Sequence, residues 1–319
     1  MNGALLIHKH SEISSFGIIE VLQNGLKEAK KLRHRDLPKM GHGGTLDPFA
    51  TGLLVVLVGR GVKLARYFLG ATKQYEGIIK LGETTVPGDP TAPISETSAH
   101  IPTHLDEMQS LAHRLTLQPY LQIPPMHSAK KKNGRPLYEL ARAGIEIERE
   151  PKACDLYEFN LSQYEAPKVR FQLKCSSGTY VRTLAQDFGR MCNSVGMLET
   201  LHRTQSGTFH NANAWTTTQV IESGKDWDRL PCWIPFDELL KAYPRSEATQ
   251  EEHQAILQGQ QKVIFNLLKR TTPSAYPNSH SKEDCVVIYA ENKLIAIVRK
   301  VENQWELERV FAPDAGEPS

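Results

Sequence analysis

Ser14 and Ser15 stand ahead of apolar residues at Ile19, Leu22, Leu26 and Ala29, and these spacings of three and four predict one buried face of an N-capped helix. The run 53–58 is unbroken apolar sequence closed by Gly59-Arg60-Gly61, which predicts a strand covered on both faces. Residues 74–81 alternate instead. Tyr75, Gly77, Ile79 and Leu81 fall on one face and Glu76, Ile78 and Lys80 on the other, the pattern of a half-buried strand. The stretch 83–103 is rich in Pro, Thr and Ser and predicts a long surface loop. Val169, Phe171, Leu173 and Cys175 then alternate with polar residues as a further strand. The Ser177-Gly178-Thr179 turn leads into a helix whose buried face is Val181, Leu184, Ala185, Phe188 and Met191. Beyond the polar stretch 270–284, residues 285–299 and 304–311 predict three short strands joined at Glu291-Asn292 and Glu302-Asn303.

A chain of 319 residues with 40% hydrophobic content is long enough for one large domain and a small one, and too long for a peptide factor. The pattern places the division at about residue 240, giving domains over 1–240 and 241–319. The formal charge of +2 says little by itself, but residues 1–150 carry a net +4 and residues 151–319 a net −2. Lys27, Lys30, Lys31, Arg33, Arg35 and Lys39 form one basic cluster, and Lys130, Lys131, Lys132 and Arg135 a second. Either cluster alone is an ordinary solvated face; two on a near-neutral chain point to a polyanionic partner.

Five widely spaced cysteines without a Cys-x-x-Cys pair disfavour a disulfide framework and a cysteine zinc site. No apolar run approaches the roughly 20 residues that span a bilayer. A cytoplasmic chain with no membrane contact is the expectation.

Several motifs fail. Gly41-His42-Gly43 and Gly59-Arg60-Gly61 place Leu46 and Leu64 where a dinucleotide fingerprint needs its third glycine, so no nucleotide cofactor is expected. His100 and His104 lack the helix and glutamate of a zinc hydrolase. Ser128-Ala129-Lys130-Lys131 lacks the companion motifs of acyl-serine enzymes.

The segment GHGGTLDPFATGLL at 41–54 is different. Its glycines let the backbone pass close to another group, Pro48 stiffens the step after Asp47, and a buried strand anchors the loop from behind. An isolated Asp-Pro is ordinarily a turn cap. Here the carboxylate is set beside the core, where it needs a partner. Arg182, at the start of the helix after SSGTY, is the arginine in an equally constrained setting.

These two segments, with KQYEG at 73–77, IPPMHSAKKKNGRPLYELARAG at 123–144 and LHRTQSGTF at 201–209, resemble the TruB family of tRNA pseudouridine-55 synthases, block by block and in the family's order. The resemblance implies an α+β fold, a pseudouridine synthase domain with a mixed β-sheet flanked by helices, followed by a small β-domain similar to a PUA domain. It implies that Asp47 is the catalytic aspartate, with Tyr180 and Arg182 packed around it. Tyr75 would stack on the flipped uracil, Leu201 would close the pocket, and His42 would fill the gap left by the base. Lys9 matches a lysine of the first strand, although His8-Lys9-His10 stands where the family commonly has Asp-Lys-Pro. Taken without the resemblance, Tyr75, Tyr180 and Leu201 read as packing and His42 as a loop cap.

The implied reaction isomerises uridine 55 in the tRNA T-arm, using no metal and no cofactor. Lys130, Lys131, Lys132 and Arg135 would follow the RNA backbone, and a monomer is expected. Whether Asp47 attacks the sugar carbon or removes a sugar proton is open at this level. So are two neighbouring readings: a synthase for another stem-loop RNA, and an RNA-folding factor whose main task is not catalysis.

Overall fold

The computed structural model describes residues 1–126, 131–132, 135–136, 145, 147–270, 285–302 and 304–312, with 131–132 and 135–136 as backbone only. The chain divides into two compact units, one over Leu5–Trp233 and one formed by Ile234–Ser319 with Asn2–Ala4.

In chain order the first strands are β1 (Gly3–Lys9), which belongs to the first unit from Leu5 onward, β2 (Met40–His42), β3 (Thr51–Val58) and β4 (Lys73–Leu81). Three small pairs follow: β5 (Glu83–Thr85) with β6 (Ile94–Thr97), β7 (Tyr120–Gln122) with β10 (Lys152–Cys154), and β8 (Lys131–Lys132) with β9 (Arg135–Pro136). The remaining strands are β11 (Leu156–Glu165), β12 (Lys168–Cys175), β13 (Gly196–Ser206), β14 (Phe209–His210) and β15 (Trp233–Pro235). The main sheet runs β11-β12-β4-β13-β3-β1-β15, with β14 on β13 and β2 on β3. β4 is antiparallel to β12 and β13, whereas β13 is parallel to β3, so the sheet is mixed.

The predicted elements are in place. Helix Ser15–Lys30 starts at Ser14, whose hydroxyl accepts the Gly17 N–H at 2.9 Å, and buries Ile18, Ile19, Leu22 and Leu26. Its stripe ends there, and Ala29 in the last turn is exposed. β3 is buried from Gly52 to Val58. Ile79 and Leu81 of β4, Phe171 and Leu173 of β12, and Leu184 and Phe188 of helix Val181–Met191 share one core with Leu46 and Ala50. That core therefore reaches the residues on both sides of Asp47.

Within 83–103 the residues from 90 onward lie at the surface as expected, although Ile94–Thr97 is a strand, and only the first part departs from a surface loop. Thr84, Thr85 and Asp89 are buried. The Thr85 hydroxyl donates to the Asp89 carbonyl at 2.7 Å and accepts the N–H groups of Gly88 and Asp89 at 3.1 Å. Threonine satisfies the backbone internally, so a polar segment can leave water.

The second unit holds a four-stranded sheet in the order β16-β17-β18-β19: β16 (Arg245–Glu247), β17 (Cys285–Ala290), β18 (Lys293–Val301) and β19 (Gln304–Val310). Glu291, Asn292 and Glu302 make the two turns with positive φ. Helices Gln250–Leu257 and Lys262–Lys269 supply Ile256, Ile264 and Leu267 to a core with Val286, Ile288, Ile295 and Val298.

Candidate active site

The loop between β2 and β3 is held through several of its backbone groups. Ser15 Oγ donates to the Leu46 carbonyl at 3.0 Å and accepts the Leu46 N–H at 2.8 Å. Lys9 Nζ donates to the carbonyls of Pro48, Ile13 and His10 at 3.0, 2.8 and 2.9 Å, and the Glu12 N–H reaches the Pro48 carbonyl at 2.8 Å. From β13, Arg203 donates to the carbonyls of Leu53, Thr45 and Gly44 at 2.8, 3.2 and 3.0 Å. Gly52, at φ +101°, lets β3 lie against β13; a Cβ there would sit 2.4 Å from the Arg203 carbonyl oxygen. Asp47 is thus carried on a loop tied to three other elements.

Its carboxylate meets Arg182, in the first turn of helix Val181–Met191. Nε donates to Oδ2 at 2.8 Å and Nη2 to Oδ1 at 3.1 Å, a two-point fork. The Arg182 side chain is 4% exposed and that of Asp47 is 32% exposed, so the carboxylate has one anchored side and one open side. Arg182 Nη1 donates to the Pro87 carbonyl at 3.0 Å and lies 3.6 Å from Asp89 Oδ2. Asp89 in turn accepts the Thr91 N–H at 3.0 Å and the Thr91 hydroxyl. Gln186 on the same helix donates to the Thr85 carbonyl at 3.0 Å. The guanidinium is therefore fixed between two carboxylates on separate loops.

Tyr75 on β4 lies in register with Arg203 of β13 and packs on the core that contains Leu46. Burial pushes its phenol up to about 12, against a lowering by the charge and hydrogen bond of Arg203. Lys9 has no exposed surface, and its ammonium is brought down to about 8 by burial, partly offset by Asp47. Lys73, buried beside Arg203 with its Nζ on the Phe68 and Ala71 carbonyls at 2.8 and 2.7 Å, is brought down to about 7 by the same cause. His42 ends β2; its Nδ1 is buried without a hydrogen-bond partner among the described residues, and burial, then Arg203, lowers its pKa.

Residues 30–181 match the N-terminal domain of the TruB family pseudouridylate synthases. The tRNA pseudouridine synthase B of Nitrosospira multiformis is 35% identical over 285 residues, covering 88% of this chain and 85% of that protein. The chain belongs to the TruB family. Members of this TruB family are isomerases, and similarity to them runs almost end to end: the Clostridium kluyveri tRNA pseudouridine synthase B is 33% identical over 313 residues, covering 98% of this chain and 100% of its own length. In three dimensions this TruB chain is similar to a chain in a crystal structure of a Cbf5–Nop10–Gar1 complex, with a TM-score of 0.69 at 17% identity over 98% of this chain and 85% of that one. The mixed sheet with helices and a small four-stranded sheet is thus a pseudouridine synthase fold.

Of the residues that the TruB resemblance singles out, Asp47 and Arg182 are in direct contact, and Lys9 supports the Asp47 loop without a hydrogen bond to the carboxylate. Tyr75 joins the loop through Arg203. Leu201 is 6% exposed and pairs with Gly77. The Tyr180 N–H is tied to Gln122 Oε1 at 2.8 Å. Lys130 lies outside the described residues, and Lys131, Lys132 and Arg135 are described only as backbone of β8 and β9. Arg203 was not singled out by the sequence. Its signal was the period of two along β13, which puts it on the face of Leu201.

Proposed function

We propose that this chain converts uridine 55 in the T-arm of tRNA to pseudouridine, with Asp47 meeting the ribose, Tyr75 the uracil face and Arg182 holding the carboxylate plane. The observation that carries the reading is the Asp47–Arg182 fork, one partner sunk in the core and the other a third exposed. The names of the relatives support tRNA as the substrate. The second unit is read as a PUA-like RNA-binding domain, and the basic residues of 130–135 as contacts to the RNA backbone.

The reaction breaks the bond from N1 to C1′, turns the base and joins C5 to C1′. C5 gives up its proton and N1 gains one, so no atom is gained or lost overall and no co-reactant is required. A fixed carboxylate serves either route, by bonding to C1′ or by taking the proton from C2′. The uridine has to leave its stack, at a cost of a few kcal/mol. Stacking on Tyr75 returns about 1–3 kcal/mol of that. His42 fills the gap that the base leaves, Leu201 closes the pocket around it, and Tyr180 and Lys9 keep the helix start and the loop in place.

The test is tritium release from 5-tritiated uridine in an unmodified tRNA transcript without added cofactor. The wild type is expected to release one tritium per tRNA. Asp47→Asn is expected to release none while binding tRNA within a few-fold of wild type. Turnover by a wild-type-free preparation of that variant would remove Asp47 from the chemistry.

A further inference from the structure

The first basic cluster, from Lys27 to Lys39, has no part in the chemistry above, but its position along helix Ser15–Lys30 suggests one. The helix begins at the catalytic loop, where Ser15 holds both backbone polar atoms of Leu46, next to Asp47. The following residue, Phe16, is 62% exposed, although the helix already buries Ile18, Ile19, Leu22 and Leu26 on its other side. A phenyl ring in water beside a catalytic loop lacks a packing partner. Phe16, Glu20 and Lys27 stand at i, i+4 and i+11 and so share one stripe, and all three are exposed. Eleven helical steps separate the ring from Lys27 by about 16 Å.

At the far end of the stripe, Lys27, Lys31 and Lys39 are exposed and make no ion pair among the described residues. Arg33 and Arg35 share Asp36, at 2.9 and 3.8 Å. Between Glu28 and Glu76 the chain has only two acidic residues, Asp36 and the catalytic Asp47. The surface is therefore aromatic where it adjoins the site and positive where it leaves it.

We infer that this helix face holds the RNA strand leading away from the flipped uridine: Phe16 stacks on an unpaired base near the target, and Lys27 and Lys31 take phosphates further along. This rests on the reading of Asp47 as the group that meets the uridine. The spacing suits it, since about 16 Å spans roughly five stacked nucleotides at ~3.4 Å each. So does the chemistry, because an aromatic face accepts any base while ammonium groups follow the backbone. Glu20 sits between the two ends with the wrong sign for phosphate, which gives the surface a test in both directions.

The experiment measures affinity of the full-length chain for an unmodified tRNA transcript across a series of salt concentrations. Lys27→Gln with Lys31→Gln should weaken binding and flatten the salt slope by about one to two, at roughly 0.7 for each phosphate that is no longer neutralised. Glu20→Gln should tighten binding. Phe16→Leu should weaken it about tenfold with the slope unchanged, and Phe16→Trp should restore it. A slope unchanged in the lysine variant, or wild-type affinity for Phe16→Leu, overturns the inference. These side chains are exposed, so loss of folding is not the expected cause of any change, and circular dichroism checks it. A wild type that neither binds nor modifies the transcript overturns the functional reading as well; a wild type that does both while the variants bind alike overturns only this surface.

Discussion

Arg182 meets Asp47 with two parallel hydrogen bonds and reaches Pro87 and Asp89 with its remaining nitrogen. A lysine ammonium retains the charge and cannot reproduce that planar fork. Arg182→Lys is expected to bind tRNA normally and to turn over at least ~100-fold more slowly, the scale of losing alignment at a reacting centre. Near-normal single-turnover rates would show that Arg182 does not position the carboxylate. Tyr75 carries a different expectation. Burial holds its phenol at about 12, so the phenolate is a minor species at neutral pH, and Arg203 is the neighbour that makes it accessible. If the phenolate oxygen takes the C5 proton and so becomes the phenol, the wild-type rate rises with pH between about 7 and 9, and Tyr75→Phe is at least ~100-fold slower and flat over the same range. A Phe variant within about threefold of wild type would leave Tyr75 as a stacking face only.

Among the elements, the pairing of β3 with β13 is one on which the loop depends, beside its ties to Lys9 and Ser15. Gly52 has no room for a Cβ, with the Arg203 backbone oxygen and nitrogen at 2.4 and 2.7 Å from where it would stand. Gly224, at φ +91°, has nothing within 4 Å, so an added methyl there meets only backbone strain. Gly224→Ala should cost about 1–2 kcal/mol. Gly52→Ala should cost clearly more, because two strands have to part, and should lower activity before the protein unfolds. Urea midpoints for the two variants compare them directly.

The sequence makes these elements legible to different degrees. β3, β4, β12 and helix Val181–Met191 follow from periodicity because each buries a continuous face. β5, β6 and the three-residue β16 leave no such trace, and Thr85 reads as loop because its internal hydrogen bonds depend on the fold. The Asp47–Arg182 pairing was legible from two constrained glycine contexts. Arg203 was not, because an arginine in a strand reads as a solvated charge until three carbonyls are found around it.

For the whole molecule, every residue assigned to the chemistry falls within Leu5–Trp233, and the second unit has a core of its own. A chain ending at Pro235, which keeps β15 whole, is therefore expected to bind tRNA more weakly and still to release tritium slowly at saturating RNA. A folded truncation with no reaction at saturation would show that the second unit helps to build the site.

The loop around Asp47 also has a history in time. Its Thr45 carbonyl waits for Arg203, 158 residues later in the chain. At roughly 5–20 residues per second, a ribosome takes about 8–30 s to supply that arginine after the loop has been made. Until then, the backbone groups at Gly44, Thr45 and Leu53 have only water to bond. A nascent chain stalled before Arg203 would carry Asp47 on a loop that lacks these three hydrogen bonds, so the loop is fixed only after most of the first unit has been synthesised.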